Sequence, residues 1–168
     1  MKTLFTCIIG LGLIFPITAQ ITDVQKLDEV VVVATNYKYF NQVDSKQESI
    51  PVKMLEAKVA TYNLKDSPYY QDDYVLYYIN FFIPEGSILA AYDRDGNIVR
   101  TIERFKDIRL PNAVILSLAK QYPNWAISKD VYLVSFKENK GVDKKYKIRL
   151  TNKGKRIWVK TDENGKFL

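Results

Sequence analysis

Two short segments of the chain hold closely spaced carboxylates beside a glycine. They are Asp93-Arg94-Asp95-Gly96-Asn97 and Asp162-Glu163-Asn164-Gly165, and oxygen-rich loops of this kind could bind calcium. A helix-loop-helix calcium site needs a glycine at its sixth position and a bidentate glutamate at its twelfth, which neither segment provides. Asp-Gly and Asn-Gly pairs favour the positive φ angles of tight turns. We therefore predict two hairpin turns, with no metal site and no cofactor.

The chain contains no histidine, and its only cysteine is Cys7. Without histidine, a serine triad with an imidazole base and the usual zinc sites are excluded. Catalysis by carboxylate, lysine or tyrosine side chains is still possible. A recessed carboxylate pair or a buried lysine with a shifted pKa would indicate it. Because no spacing in the sequence designates such a group, we predict no catalytic residue and a protein that is not an enzyme.

The first 19 residues have the pattern of a secretory signal. Lys2 supplies the positive charge, Leu4 to Phe15 form the apolar region, and Ala19 precedes the expected cleavage site. The apolar region is shorter than the roughly 20 residues that a membrane span requires. We expect cleavage, which also removes Cys7 and with it any disulfide. The expected location is periplasmic or secreted, with no stable membrane insertion after cleavage.

Charge is distributed unequally along the chain. Residues 20 to 100 carry 8 Lys/Arg against 12 Asp/Glu, whereas residues 101 to 168 carry 16 against 7. The basic half could face an acidic partner surface or an anionic envelope; alternatively, its lysines line the solvated face of a sheet. An exported chain without a recognition motif is not expected to bind nucleic acid.

From Ile50 onward the sequence reads as one pattern written twice. Proline follows the first residue of each predicted helix, at Ile50-Pro51 and Leu110-Pro111. Apolar residues recur at helical spacing after each proline, and alternating strands with turn residues follow. We predict an α+β fold in which a tandem helix-plus-antiparallel-hairpin repeat forms an antiparallel sheet with helices on one face. The predicted divisions are 1–19 signal peptide, 20–49 N-terminal strand and linker, 50–109 first repeat and 110–168 second repeat.

The region before the repeats contains a valine-rich run. Val30 to Val33 favour an extended strand, and the polar stretch from Asn36 to Glu48 is interpreted as a continuation of that strand or a loop. Leu27 to Ala34 resembles the segment that TonB-dependent outer-membrane receptors offer to their energising partner. That resemblance implies strand addition to a partner, and a structural first strand is the alternative.

Tyrosine is unusually frequent, with 12 in the chain. An exposed tyrosine combines apolar area with a polar tip, which suits binding faces as well as cores. In the second repeat, Tyr146, Ile148 and Leu150 alternate with Lys147 and Arg149, which is typical of a half-buried strand. The candidate partner-binding residues are Tyr74, Tyr78, Tyr146, Arg149, Arg156 and Trp158.

The second repeat also resembles a known family. The order Leu110-Pro111, then Tyr122-Pro123-Asn124-Trp125, then Tyr146 to Leu150 and Val159 to Lys166 is similar to the PepSY-like domain of secreted Bacteroidetes-type proteins, which is related to the beta-lactamase inhibitor proteins. The resemblance implies a binding module that recognises a protein, including inhibition of a peptidase or another envelope enzyme, and it supplies no catalytic residue. The alternatives are a small-ligand-binding envelope protein and an accessory protein of a TonB-dependent system.

Overall fold

The computed structural model describes residues 35 to 168, which form three helices and six strands. The signal segment and the valine-rich run Leu27 to Ala34 lie outside the described residues. The helices are α1 (Tyr37–Val43), α2 (Ile50–Thr61) and α3 (Asn112–Gln121). The strands are β1 (Leu76–Ile83), β2 (Gly86–Asp93), β3 (Ile98–Lys106), β4 (Ala126–Lys137), β5 (Gly141–Asn152) and β6 (Lys155–Thr161).

All six strands belong to one antiparallel sheet whose spatial order follows the chain, from β1 to β6. The predicted α+β class is therefore confirmed. A helix precedes three consecutive strands twice, as α2 before β1 to β3 and as α3 before β4 to β6. The duplication of the sequence itself stays a prediction.

The two helices predicted from proline and apolar spacing are present. Helix α2 begins at Ile50 with Pro51 in its first turn, where the missing N–H costs no helical hydrogen bond. Its buried stripe includes Val52, Leu55 and Val59. Helix α3 follows Pro111 and buries Val114 and Leu118, four residues apart and therefore on one face.

Helix α1 corrects the interpretation of the polar stretch from Asn36 to Glu48. This stretch was predicted as a strand continuation or a loop, whereas residues Tyr37–Val43 are helical. Only Tyr39 and Val43 are buried in the helix, so the apolar pattern is too short for periodicity to reveal it. Contacts with β4 and β5 hold it on the sheet, which is a tertiary effect.

The sheet has one covered face and one open face. On the covered face the buried side chains alternate along each strand, as Tyr146, Ile148 and Leu150 do in β5. Helix α2 contacts β1 and β2, α1 contacts β4 and β5, and α3 contributes to the same buried cluster. The prediction of a half-buried β5 is confirmed. Within residues 35 to 168, the helices are too short or too polar to cross a bilayer.

The two acidic segments form tight turns, as predicted. Asp93 Oδ1 accepts hydrogen bonds from the backbone N–H groups of Asp95 and Asn97 at 2.9 and 2.8 Å. Asp162 Oδ1 accepts the equivalent pair from Asn164 and Lys166, both at 2.9 Å. The glycine of each turn has a positive φ, 85° and 80° respectively. The first carboxylate of each segment therefore organises its own backbone.

Candidate functional site

The open face of the sheet, opposite the helices, exposes large apolar side chains at its β1 end. Tyr78 and Phe82 of β1 are 63% and 77% exposed, and Leu89 and Ile102 on the next two strands are 39% and 45% exposed. Leu89 pairs directly with Ile102 across β2 and β3, so their side chains are neighbours on one face. We call these four residues the apolar end of the open face.

The opposite end of the open face is cationic and centred on Trp158. Arg149 of β5 pairs with Trp158 of β6, and its guanidinium carbon lies 5.9 Å from the centre of the indole ring. Lys147 Nζ lies 4.8 Å from the same ring, within the range of a cation–π interaction. Arg149 Nε also donates to Ser128 Oγ at 3.0 Å, which orients the side chain. We call Lys147, Arg149, Arg156 and Trp158 the basic end.

The two ends can make different contacts with a partner. Side chains such as Phe82 gain most from losing water, whereas Arg149 and Trp158 offer a charged fork beside an aromatic plate. The ends are separated by about four strand spacings, or roughly 19 Å. The open face therefore presents two patches of different chemistry within the span of an ordinary protein interface.

Of the six candidate residues, four lie on the open face. Tyr78 is in the apolar end, whereas Arg149, Arg156 and Trp158 are together in the basic end. Tyr74 is 52% exposed and lies just before β1, beside the sheet edge.

The prediction of Tyr146 as a partner-binding residue is wrong, because this side chain cannot contribute to an exposed binding surface. It is 1% exposed and stacks on Tyr132 with ring centroids 4.5 Å apart. It shares the covered face with Ile148 and Leu150, as alternation along β5 requires. Residues that sequence reasoning missed include Phe82, which follows Tyr78 by four positions and therefore shares its face.

Carboxylates are also buried between the sheet and the helices. Glu48 Oε1 accepts hydrogen bonds from Tyr132 Oη and Lys144 Nζ, both at 2.6 Å. The two charged side chains of this ion pair are only 2% and 7% exposed. Lys144 also donates to the backbone carbonyl of Val43, so it joins β5 to α1 and to the segment that follows α1.

Glu56 and Glu103 complete the buried carboxylate cluster. Glu103 Oε1 accepts hydrogen bonds from Tyr39 Oη at 2.9 Å and from Thr101 Oγ1 at 2.7 Å. Both oxygens of Glu56 are buried without a hydrogen-bond partner, as are Oε2 of Glu48 and Oε2 of Glu103. Unpaired buried carboxylate oxygens are costly if charged.

The environments of Glu56 and Glu103 favour their protonated forms. Burial and, to a smaller extent, the negative charges of Glu103 and Glu48 together raise the pKa of Glu56 to about 11, against the opposing effect of Lys144. Burial also raises the pKa of Glu103, against the lowering effect of hydrogen bonds from Thr101 and Tyr39. Glu56 is consequently a neutral acid at neutral pH.

A recessed group of carboxylates could carry out acid-base chemistry, but a substrate could not reach this cluster. Glu56 is 0% and Glu103 1% exposed, and Tyr39 and Thr101 occupy the hydrogen-bonding positions of Glu103. A general acid or base must come within hydrogen-bond reach of its substrate. The geometry therefore supports a structural cluster.

Packed side chains fill the region between the sheet and the helices, where a small ligand would have to bind. Tyr39, Tyr92, Tyr132, Phe105 and Phe136 are among the largest fully buried side chains there. A concavity of about 340 Å³ has a mainly polar lining that includes Lys46, Glu48 and Arg109. The small-ligand alternative predicted an apolar pocket between the layers, and packed side chains occupy that space in the described residues.

The chain has limited similarity to known proteins. No family model matches the sequence, and no curated protein matches it significantly. Among solved structures, a BLIP-like protein from Bacteroides fragilis is similar over 58% of this chain and 68% of its own, at 19% identity and a TM-score of 0.33. The PepSY-like resemblance stays a prediction.

Proposed function

We propose that the protein is a non-enzymatic exported binding protein that recognises another protein through the open face of its sheet. The observation that carries the proposal is the exposure of Tyr78, Phe82, Leu89 and Ile102 on a face that the described helices leave uncovered. Several large apolar side chains exposed to water on one face are typical of an interaction site.

The composition of the basic end supports the same proposal. Aromatic residues and arginine are enriched at protein interfaces and dominate their binding energy. Trp158 is 46% exposed although two cations flank its ring. A partner could therefore bury the indole and form an ion pair with Arg149 at the same time. We further propose that the protein is periplasmic or secreted and that it inhibits a peptidase or another envelope enzyme.

The two helix-plus-strand units would contribute unequally. The first supplies the apolar end from β1 to β3, and the second supplies the basic end from β5 and β6. The equivalent turns at Asp93 and Asp162 support a common origin for the two units. An acidic patch on the partner would complement the basic end.

The test is affinity capture from an envelope fraction, followed by titration of the purified partner. We expect Arg149→Ala/Trp158→Ala to weaken binding at least about tenfold, because the pair forms the centre of the basic end. Leu116→Ala is the matched control, since Leu116 is 70% exposed on α3 and therefore away from the open face. Unchanged binding by the double variant would exclude the basic end from the interface.

A further inference from the structure

The two edges of the sheet differ in how they are protected. At the β6 edge, Lys155, Arg156 and Lys160 place charges along the strand. Thr161 pairs with Phe167 as the chain returns, and the Leu168 N–H donates to the Lys160 carbonyl at 3.0 Å. Lysine and a covering segment are standard means of blocking further strand pairing.

The β1 edge has neither form of protection among residues 35 to 168. Its eight residues, Leu76–Ile83, include no charged residue and no proline. Pairing with β2 is continuous from Leu76↔Asp93 to Ile83↔Gly86 without a bulge. A long, regular and uncharged edge is a template for another strand.

Hydrogen-bond alternation identifies the backbone groups available at this edge. The turn joining Ile83 to Gly86 has two residues, so these two must exchange hydrogen bonds, and bonded pairs then recur at every second position. The backbone N–H and C=O groups of Tyr78, Asn80 and Phe82 consequently point away from β2. Asn80 lies at the centre of this series, and its side chain is exposed.

A concavity of about 480 Å³ accompanies the first half of the edge. Tyr69, Tyr74, Leu76 and Tyr78 line it and are all at least 44% exposed. The aromatic walls suit a large apolar side chain of an added strand. The site thus combines a row of backbone partners with a place for one side chain.

The charges that flank β1 distinguish between possible occupants. Asp72 and Asp73 precede the strand and Glu85 follows it. Antiparallel pairing of two copies in register would place Asp73 of one copy close to Glu85 of the other, and parallel pairing would bring the two Asp72-Asp73 pairs together. Like charges oppose pairing, whereas an added strand with basic ends would complement both flanks.

We propose that the β1 edge binds an extended segment of another protein, with an apolar centre and basic ends, by adding it as a seventh strand. This site is separate from the basic end of the open face and does not depend on the function proposed above. Main-chain hydrogen bonds would supply affinity, and the concavity together with the acidic flanks would supply specificity.

The test uses a fluorescent peptide of alternating valine and threonine with a central phenylalanine and two lysines at each end. We expect saturable binding by fluorescence anisotropy, and at least about tenfold weaker binding to Asn80→Pro, which removes an outward N–H without breaking a bond to β2. Asn80→Ser keeps the N–H and is the matched control. Circular dichroism and thermal unfolding establish that both variants are folded.

A second pair of variants tests the charge argument without altering the strand. Asp72→Lys/Asp73→Lys should shift preference toward the same peptide with glutamates in place of lysines. Arg149→Ala/Trp158→Ala should bind the lysine peptide as the unmodified protein does, which separates this site from the basic end of the open face. Equal binding of both peptides to the unmodified protein, undiminished binding by Asn80→Pro, or self-association that Asn80→Pro abolishes would each overturn the proposal.

Discussion

Lys144 and Lys145 are adjacent in β5, and each places its Nζ atom 2.6 Å from a carboxylate oxygen. Their surroundings differ. The Lys144 and Glu48 side chains are 7% and 2% exposed, whereas those of Lys145 and Asp143 are 44% and 59% exposed. The strength of an ion pair depends on burial as much as on distance, because water screens exposed charges.

Replacement of these two lysines should separate the two cases. We expect Lys144→Met to lower the free energy of unfolding by about 3–5 kcal/mol, because Glu48 is left as an uncompensated buried charge. Lys145→Met should cost less than about 1 kcal/mol. Urea unfolding measures both values.

The double variant Glu48→Gln/Lys144→Met identifies the source of the loss. It removes the orphaned charge and should recover part of the stability lost in Lys144→Met, because breaking one side of a buried pair costs more than replacing both. Equal losses for the Lys144 and Lys145 variants would contradict the assignment of Lys144 as a buried counterion.

At the scale of elements, the turns determine how the helices meet the sheet. Gly165 has φ +80° and stands directly against α3, where an added Cβ would lie 2.5 Å from the Ala113 carbonyl oxygen and 2.5 Å from Ser117 Oγ. Gly154 has nearly the same φ, +82°, but no atom lies within 4 Å of its added Cβ. Comparison of substitutions at Gly154 and Gly165 therefore separates the cost of backbone strain from the cost of overpacking.

We therefore expect different costs for the same substitution at these two glycines. Gly154→Ala should lower the free energy of unfolding by about 1–2 kcal/mol, the cost of a left-handed backbone for a residue with a Cβ. Gly165→Ala should cost about 3 kcal/mol or more, because overpacking against α3 adds to that strain. Thermal unfolding of both variants is the measurement, and equal destabilisation would mean that the turn does not support α3.

Asn36 has a comparable role at the other end of the described chain. Its Oδ1 accepts from the Ile98 N–H at 2.6 Å, and its Nδ2 donates to the Gly96 carbonyl at 3.1 Å. Its own N–H donates to the Ala60 carbonyl at 3.1 Å. One buried amide therefore ties the start of α1 to the end of α2 and to the turn between β2 and β3. These partners are distant in sequence, so local pattern could not identify them.

For the whole molecule, the buried carboxylates predict an unusual dependence of stability on pH. The pKa of Glu56 is about 11 when folded, against an ordinary value of 4.5. The folded state therefore retains a proton that the unfolded chain loses. This contribution to stability is complete below about pH 4.5 and is lost as pH rises toward 11.

We expect the free energy of unfolding to fall as pH rises from 5 to 8, because Glu56 stays protonated in the folded protein and loses its proton in the unfolded chain. The raised pKa of Glu103 acts in the same direction, and the chain has no histidine to titrate in this interval. Urea unfolding at several pH values gives the slope.

Glu56→Gln should reduce that slope and leave the protein more stable than the unmodified chain at pH 8. Asp143→Asn is the control, because its carboxylate is largely exposed, and it should leave the slope unchanged. Stability that is constant or rises from pH 5 to pH 8 would show that Glu56 is ionised in the folded protein.

Sequence alone determined the features that depend on neighbouring residues. Proline at residue 51 and the spacing of Val52, Leu55 and Val59 predicted α2, alternation predicted the half-buried β5, and Asp-Gly and Asn-Gly pairs predicted the turns. Each of these signals is local, because helix starts, strand faces and positive φ angles follow from a few adjacent side chains.

Only the tertiary structure decided which surfaces are covered. Helix α1 forms because the sheet buries Tyr39 and Val43, and Tyr146 lost its candidate role because its strand face lies beneath the helices. Glu103 is far from Glu48 and Glu56 in the chain, so nothing in the local sequence indicated a shared buried cluster. Burial and desolvation arise from residues that the fold brings together, and they distinguish the structural carboxylates from the side chains that remain exposed on the open face.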